Sequence, residues 1–359
     1  MYPPHVLTES FSGNLPGRVK RVAKPNLFGF KKLTSKPWPI AGPQAASAPG
    51  QVTIDFKDFL QGETISRAFI RVRGNVIVAG AGPGVATGKD NPEGLVTGIT
   101  ARHSPALGVV SKNSLTVRGI IQQGIFDRGY SIHGTAIADA AATVPVDYYL
   151  PLTFKQPGSV NPIEWGLPLS LFTQYQLVVT VGGREQLFTG GTNTWDATGL
   201  VVELWADYDD GVAGAFNLVE EFEITQPVVQ TQPDLQMILP AGFAYTHLLF
   251  IAQTANAKDN TLINGITVQS AGRIWTPQGD KNAQMIQNWN RETHVNNAAE
   301  SLAGTYFIPA LRDGLVSRSI EAITDRVEIK LDVTFAAGPS NVILRGRRII
   351  PGGLQVKAA

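Results

Sequence analysis

The chain contains no cysteine. That excludes a disulfide framework and any thiolate metal site, and it leaves the redox compartment open. Charge is scarce too: 16% of the residues are Asp, Glu, Lys or Arg, against roughly a quarter in ordinary globular chains. A large chain with so few charges is expected to bury part of its outer surface against other subunits. Sustained helical periodicity is missing, and so is any alternation of strand with long helix, which argues against a doubly wound α/β fold. His5, His103, His133, His247 and His294 are scattered, with no pair at ligand spacing, so no histidine metal site is expected. There is no G-x-S-x-G and hence no nucleophile elbow. The start, MYPPHVLTES, has no charged region followed by an apolar one, so no signal peptide is expected.

One stretch lacks charge altogether. From Leu235 to Ala257 no residue is formally charged, about the length of a membrane span. Pro240, Gly242, Thr246, His247, Gln253 and Asn256 interrupt it, and it reads as a buried strand pair.

What the chain does have is length, glycine and proline. Its 359 residues suffice for a sizeable core in one large domain or two ordinary ones. The 37 glycines and 23 prolines fit many turns and short strands. Arg67–Val78, Tyr175–Val181, Leu200–Trp205, Val327–Thr334 and Val342–Ile350 read as strands between turn signals. Short helices are expected at Pro162–Phe172 and Leu311–Ile323, with a weaker one at Asn296–Leu302.

Residues 1–50 stand apart. Arg18, Lys20, Arg21, Lys24, Lys31, Lys32 and Lys36 face a single acid, Glu9, for a local charge of +6 in a chain of net +1. Recurrent prolines exclude a long helix or a central strand. Phe11, Leu27, Phe28, Phe30 and Trp38 are interleaved with the bases. The segment reads as an extended arm that orders on a partner: a neighbouring subunit, an anionic lipid face or nucleic acid.

The glycine-rich stretch VAGAGPGVATGKDNPEG (Val78–Gly94) suggests a phosphate cradle. The spacing refuses it. A P-loop ending at Gly88-Lys89 needs glycine at 83 and a hydroxyl at 90, where Pro83 and Asp90 stand. A dinucleotide fingerprint from Gly80 and Gly82 needs glycine at 85, where Val85 stands. The loop is expected to be a connection between strands.

Other chemical candidates are thin. Asp207, Asp209 and Asp210 lack the spacing of a calcium loop. Glu203, Glu220, Glu221 and Glu223 could supply a carboxylate pair, though solvated strand faces are the commoner use. The tryptophans at 38, 165, 195, 205, 275 and 289 could stack on sugars or pack in cores and interfaces. Arg345, Arg347 and Arg348 could form a basic patch or line a subunit contact.

The two halves echo each other in order. Asp55–Asn75 parallels Asp234–Gln253, with Phe69-Ile70 against Phe250-Ile251. LVTGIT (Leu95–Thr100) parallels LINGIT (Leu262–Thr267), and YLPL (Tyr149–Leu152) parallels FIPA (Phe307–Ala310). A Gly-Leu pair follows in each half, at 166 and 314, and then an alternating strand: Leu177, Val179 and Val181 against Ile329, Leu331 and Val333. The expected organisation is a basic arm (1–50), two β-sandwiches (51–212 and 213–350) and a tail (351–359).

RVRGN (Arg71–Asn75), NPEG (Asn91–Gly94), LVTGIT, Thr305–Thr334 and the RRI of Arg347–Ile349 carry a family likeness. The chain resembles the double jelly-roll major capsid proteins of tailless icosahedral viruses, of the tectivirus, corticovirus and adenovirus type. The resemblance implies an all-β fold of two tandem eight-stranded jelly rolls. It implies a homotrimer of pseudo-hexagonal outline that builds a virion shell around an internal membrane, assembled in the host cytoplasm, without enzymatic activity, cofactor or small-molecule substrate. The implied partners are neighbouring capsomers, internal lipid, and penton or minor capsid proteins. The arm residues would then touch membrane or neighbour, and Arg345, Arg347 and Arg348 would lie on the inner face. The alternative is a two-sandwich carbohydrate-binding or glycan-processing protein, such as a phage spike or fibre component. A third reading is nucleic-acid binding through the arm.

Overall fold

The computed structural model describes residues 28–44, 48–60, 62–86, 90–103, 113–128, 134–154, 166–209, 214–255, 257–270, 273–274, 304–309, 320–322, 326–336 and 338–356. Its main elements are strands. In the first half they are β1 (Phe28–Pro37), β2 (Gly50–Asp55), β3 (Thr64–Ala79), β4 (Val96–His103), β5 (Asn113–Leu115), β6 (Ala142–Thr153), β7 (Tyr175–Val181) and β8 (Val201–Asp209). A single α-helix among the described residues, α1 (Val117–Arg128), lies between β5 and β6. The second half has β9 (Gly214–Val228), β10 (Gln232–Leu239), β11 (Phe243–Thr254), β12 (Ile263–Ser270), β13 (Arg273–Ile274), β14 (Thr305–Pro309), β15 (Val327–Val333) and β16 (Ser340–Val356).

Pairing repeats strand for strand. One sheet of the first half runs β1-β8-β3 with β6 on the other edge of β3, and its partner sheet runs β2-β7-β4-β5. In the second half the order is β9-β16-β11 with β14 on β11, faced by β10-β15-β12-β13. Each strand in the first half thus has its counterpart eight strands on. Both halves are antiparallel sandwiches of jelly-roll topology. Each encloses its own core, one built around Ile70, Val72, Leu177 and Leu204, the other around Phe250, Val268, Leu331 and Leu344.

The sequence echoes fall on matching strands. LVTGIT lies at β4 and LINGIT at β12, and the faces Leu177/Val179/Val181 and Ile329/Leu331/Val333 are buried in β7 and β15. One echo is out of phase. Ile70 and Phe250 both face a core, whereas Phe69 and Ile251 both face outward. A one-residue slip exchanges the faces of a strand, so the two Phe-Ile pairs mark the same strand without being equivalent residues.

Several expectations need correction. Residues 28–37, expected within an extended arm that orders on a partner, are a strand of the first sandwich: β1 pairs along β8, from Phe28 opposite Asp209 to Pro37 opposite Val201. Residues 351–356 are not a tail, because β16 continues to Val356 opposite Gly214. Where described, Pro162–Phe172 is a two-residue strand and a 3₁₀ turn, and Leu311–Ile323 holds strand Ile320–Ala322. Residues 296–302 lie outside the described residues. The helix α1 was not expected. Its Val117, Ile120, Ile121, Gln122 and Gln123 are all buried, so it shows no polar stripe to read. The uncharged run from Leu235 is the end of β10, a turn and β11. Among the described residues no helix is long and apolar enough to cross a membrane.

Candidate functional site

The first part of the glycine-rich loop, through Gly84, is a turn system whose N–H groups find partners within the chain. The Gly84 N–H donates to Asp139 Oδ2 at 2.6 Å and the Gly82 N–H to Asn193 Oδ1 at 3.1 Å. Arg184 Nη2 donates both to Asp139 Oδ2 and to the Gly190 carbonyl, each at 2.6 Å. Trp195 Nε1 donates to Asp139 Oδ1 at 2.9 Å. A Cβ on Gly84 or Gly191 would collide with the Arg184 guanidinium, which is why glycine stands there. Asp139 therefore occupies the place an anion would take in a phosphate cradle. Burial alone would raise its pKa, but the hydrogen bonds from Arg184, Gly84 and Trp195 outweigh that and hold it at about 2.

The candidate carboxylates are each matched to cations. Glu203 faces Arg73 at 2.9 Å, Arg71 at 3.9 Å and Lys32 at 3.5 Å. Glu220 meets Arg348 at 2.8 Å. Glu221 holds Arg345 at 2.9 Å and Arg347 at 2.8 Å, and Glu223 lies 3.4 Å from Arg345. None of these pairs leaves two free carboxylates facing one cleft. Asp207 is likewise held by Arg67 at 2.6 Å. Among the described residues no group of three or more His, Cys, Asp or Glu could hold a metal ion.

Arg345 and Arg347 correct the expectation of a basic patch. They are 1% and 0% exposed; Arg345 lies beneath helix α1, and Arg347 beside it on β16 shares Glu221 with it. Gln123 accepts from Arg345 Nε and donates to Glu221 at 2.9 Å. The Thr116 N–H, at the head of the helix, donates to Glu223 at 3.1 Å. Gly119 permits this approach: a Cβ there would run into the Glu223 carboxylate and lie 3.1 Å from Arg345 Cδ. Burial pushes the Glu223 carboxyl above its ordinary range, against the pull of Arg345 and Thr116. Arg118 extends the joint to Asp90 and Gln253, both at 2.7 Å, and Thr305 donates to Gln122 at 3.3 Å. Beside these contacts Leu249, Ile251, Phe307 and Ile343 form a second apolar layer outside the core. The joint between the sandwiches is thus a neutralised Arg–Glu lattice with an apolar border. Arg348 lies over the Phe243 ring at 3.9 Å.

The matching face of the first sandwich, on β1-β8-β3-β6, is not covered by another element among the described residues. Phe30 stacks on Trp205 (centroids 5.3 Å apart, 22° between planes), meets Phe69 edge-on at 5.9 Å, and Phe69 meets Tyr149 at 6.0 Å. Charged pairs border this row. Arg71 makes a bidentate pair with Asp147 at 2.8 and 2.6 Å, and Trp205 Nε1 donates to Glu203 at 3.0 Å. Burial would raise the Glu203 pKa, but Trp205, Arg73 and Lys32 hold it below its ordinary value. Phe30 is 60% exposed and Tyr149 39%, and the row lines a groove of about 570 Å³. Sequence reading named the rings separately but not as one surface, because the register that aligns four strands is not written in any one of them.

Of the arm residues, Lys31 lies 5.0 Å from the centre of the Tyr208 ring, Lys32 pairs with Glu203, and Lys36 is exposed on β1. Arg18, Lys20, Arg21 and Lys24 lie outside the described residues. So do Trp165, Trp275 and Trp289, whereas Trp38 and Trp195 are buried core residues.

No protein-family model matches the sequence, and none of the curated proteins does. Solved structures do match. The atomic structure of Sulfolobus turreted icosahedral virus aligns over 90% of this chain and 91% of that chain, at TM-score 0.65 and 14% identity. The major capsid protein of bacteriophage PM2 aligns over 90% and 97%, at TM-score 0.56 and 12% identity. The PBCV-1 virus capsid aligns over 95% and 99%, at TM-score 0.57 and 12% identity. The chain therefore has the double jelly-roll fold that these capsid proteins share.

Proposed function

We propose that this chain is a major capsid protein, a structural subunit that trimerises into a pseudo-hexagonal capsomer and tiles an icosahedral shell. The observation that carries the reading is the double sandwich, repeated strand for strand in one chain and locked by a buried joint. Two similar sandwiches rigidly fixed side by side make each chain a third of a six-cornered ring, and a rotation that closes yields a bounded ring rather than a fibre. The low charge fits a molecule that presents much of its surface to copies of itself. No catalytic role is assigned: Glu203, Glu220, Glu221 and Glu223, which a glycan-processing enzyme would need free, are each committed to arginine.

Arg18, Lys20, Arg21 and Lys24 are our candidates for contact with an internal membrane or a neighbouring capsomer. Each well-placed base near an anionic lipid surface is worth about 1 kcal/mol. Flotation with vesicles containing phosphatidylserine, at low and moderate salt, separates the lipid role from the neighbour role.

Light scattering across a concentration series tests the central claim. The expected particle is a trimer of about 115 kDa, three times the 38.5 kDa chain, stable on dilution. A monomer at every concentration would overturn it.

A further inference from the structure

We infer that Glu223 is a proton-operated catch in the joint between the sandwiches: it carries a proton in mild acid, when helix α1 is held most firmly on β9 and β16, and gives it up toward neutral pH, when that hold loosens. This goes beyond the capsid reading and does not depend on it.

Two carboxylates of the chain are hidden from solvent to the same degree, with side chains 1% exposed at Asp139 and 2% at Glu223. They are held differently. Asp139 takes short hydrogen bonds from Arg184 Nη2 and the Gly84 N–H, both at 2.6 Å, and one from Trp195 at 2.9 Å. Glu223 has the Thr116 N–H at 3.1 Å and Arg345 Nη1 at 3.4 Å. That guanidinium is shared. Its Nη2 donates to Glu221 at 2.9 Å and its Nε to Gln123, while Arg347 brings Glu221 a second cation at 2.8 Å. Glu221 thus draws two guanidinium groups, and Glu223 receives the far edge of one.

An ionised carboxylate withdrawn from water needs charge-assisted hydrogen bonds of about 2.7–2.9 Å to offset its lost hydration. The contacts to Glu223 are longer. Helix α1 also closes over it, since a Cβ on Gly119 would run into the carboxylate. The amino end of a helix favours a negative charge, but burial outweighs it. Burial raises the Glu223 pKa above its ordinary 4.5 against Arg345 and Thr116, whereas Asp139 is held at about 2. A carboxyl that binds its proton more tightly folded than unfolded stabilises the fold in acid. Its contribution is complete below 4.5 and is lost as pH rises through the folded value. Helix α1 helps to keep water from the group, so the cost of ionisation falls on its contact with the sheet.

The charged groups around Glu223 are fixed in pairs: Arg345 and Arg347 with Glu221, Arg348 with Glu220, and Arg118 of α1 with Asp90. His247 on β11 lies opposite Arg347, and His103 and Tyr175 of the first sandwich border Glu220 and Glu221.

The test compares the full chain with Glu223→Gln, which keeps an acceptor for Thr116 but carries no charge. Between about pH 4 and pH 7 the variant should go from matching the wild-type melting temperature to exceeding it by about 2 °C or more. Titration of His103 or His247 is common to both chains and cancels in that difference. Hydrogen exchange, corrected for its intrinsic rate, reads the catch itself. In wild type the α1 amides should be protected about threefold more at about pH 5 than at about pH 7, and in the variant equally at both. The Thr116 amide resonance of wild type should titrate with a midpoint above 4.5, a step that vanishes in the variant. A variant that stays level with wild type or loses ground as pH rises overturns the inference, because Glu223 is then the ionised partner of Arg345. So does a Thr116 midpoint at or below 4.5, or α1 protection in wild type that ignores pH. If the variant fails to fold, wild-type exchange and the Thr116 resonance decide. All are read at one oligomeric state, checked by light scattering, so a chain that never trimerises overturns the capsomer reading and leaves this one to its own result.

Discussion

Asp139 shows how a single residue answers a question the sequence raises. A glycine-rich loop with a lysine invites an anion, and here the Gly84 N–H and the Arg184 guanidinium bind a carboxylate that the chain itself supplies. Replacing it by Asn leaves the buried Arg184 without its counter-charge, and breaking a buried pair in this way costs about 3 kcal/mol or more. Thermal unfolding of Asp139→Asn should register that loss. The pH dependence follows from the depressed pKa. The group binds its proton more weakly folded than unfolded, so its contribution is complete above the ordinary value of 3.8 and is lost as pH falls toward 2. That contribution is about 2 kcal/mol. The stability gap between wild type and Asp139→Asn should therefore narrow by about that amount between pH 5 and pH 2. A constant gap would mean that Asp139 is not ionised in the fold. Inorganic pyrophosphate or ATP should not raise the melting temperature of the wild-type chain, since the Gly82 and Gly84 N–H groups are already donated to Asn193 and Asp139.

At the scale of elements, helix α1 ties the halves together through hydrogen bonds to Glu221, Arg345 and Gln253. Gln123 both donates to Glu221 and accepts from Arg345. In Gln123→Leu a buried guanidinium loses an acceptor, at a cost of about 2 kcal/mol. Calorimetry should show the loss as a split: one transition in wild type, two in the variant as the sandwiches melt apart. A single transition at an unchanged temperature would place the coupling elsewhere in the joint. This element was the least legible in the sequence. Gly119 and Gly124 lower its helical propensity, and its buried glutamines look like surface. Strands were easier, because Leu177, Val179 and Val181 alternate with residues that face away from the core and so carry their period openly. Strand β11 was harder, since a strand covered on both faces reads as a continuous apolar run and mimics a membrane segment. The arm was misjudged for the converse reason: β1 is an edge strand whose Lys31, Lys32 and Lys36 remain exposed, so its composition resembles a solvated tail while its backbone completes a sheet. The repeat itself was readable, because VTGIT and INGIT open the counterpart strands β4 and β12 with nearly the same residues. The residues of the aromatic face were not, because they meet only after four strands have found register.

For the whole molecule, the balance of charge separates two modes of association. The arginines of the aromatic face are already committed to Asp147, Asp207 and Glu203, so a trimer assembled through that face would gain little from new ion pairs and most from burying rings. Apolar burial is not weakened by sodium chloride in the way that contact between unpaired charges is. Arg18, Lys20, Arg21 and Lys24 have no nearby acid in sequence beyond Glu9, and any binding they mediate to lipid or nucleic acid proceeds by counter-ion release. The two processes should therefore part company with ionic strength. Between about 50 mM and 500 mM sodium chloride the dissociation constant of the proposed trimer should move by less than about threefold, while binding to anionic vesicles or DNA should fall by about tenfold or more. Sedimentation of the trimer and flotation of vesicle-bound chain, run at the same salt steps, measure both. A trimer that dissociates in step with the loss of vesicle binding would show that the basic segment, not the aromatic face, holds the copies together.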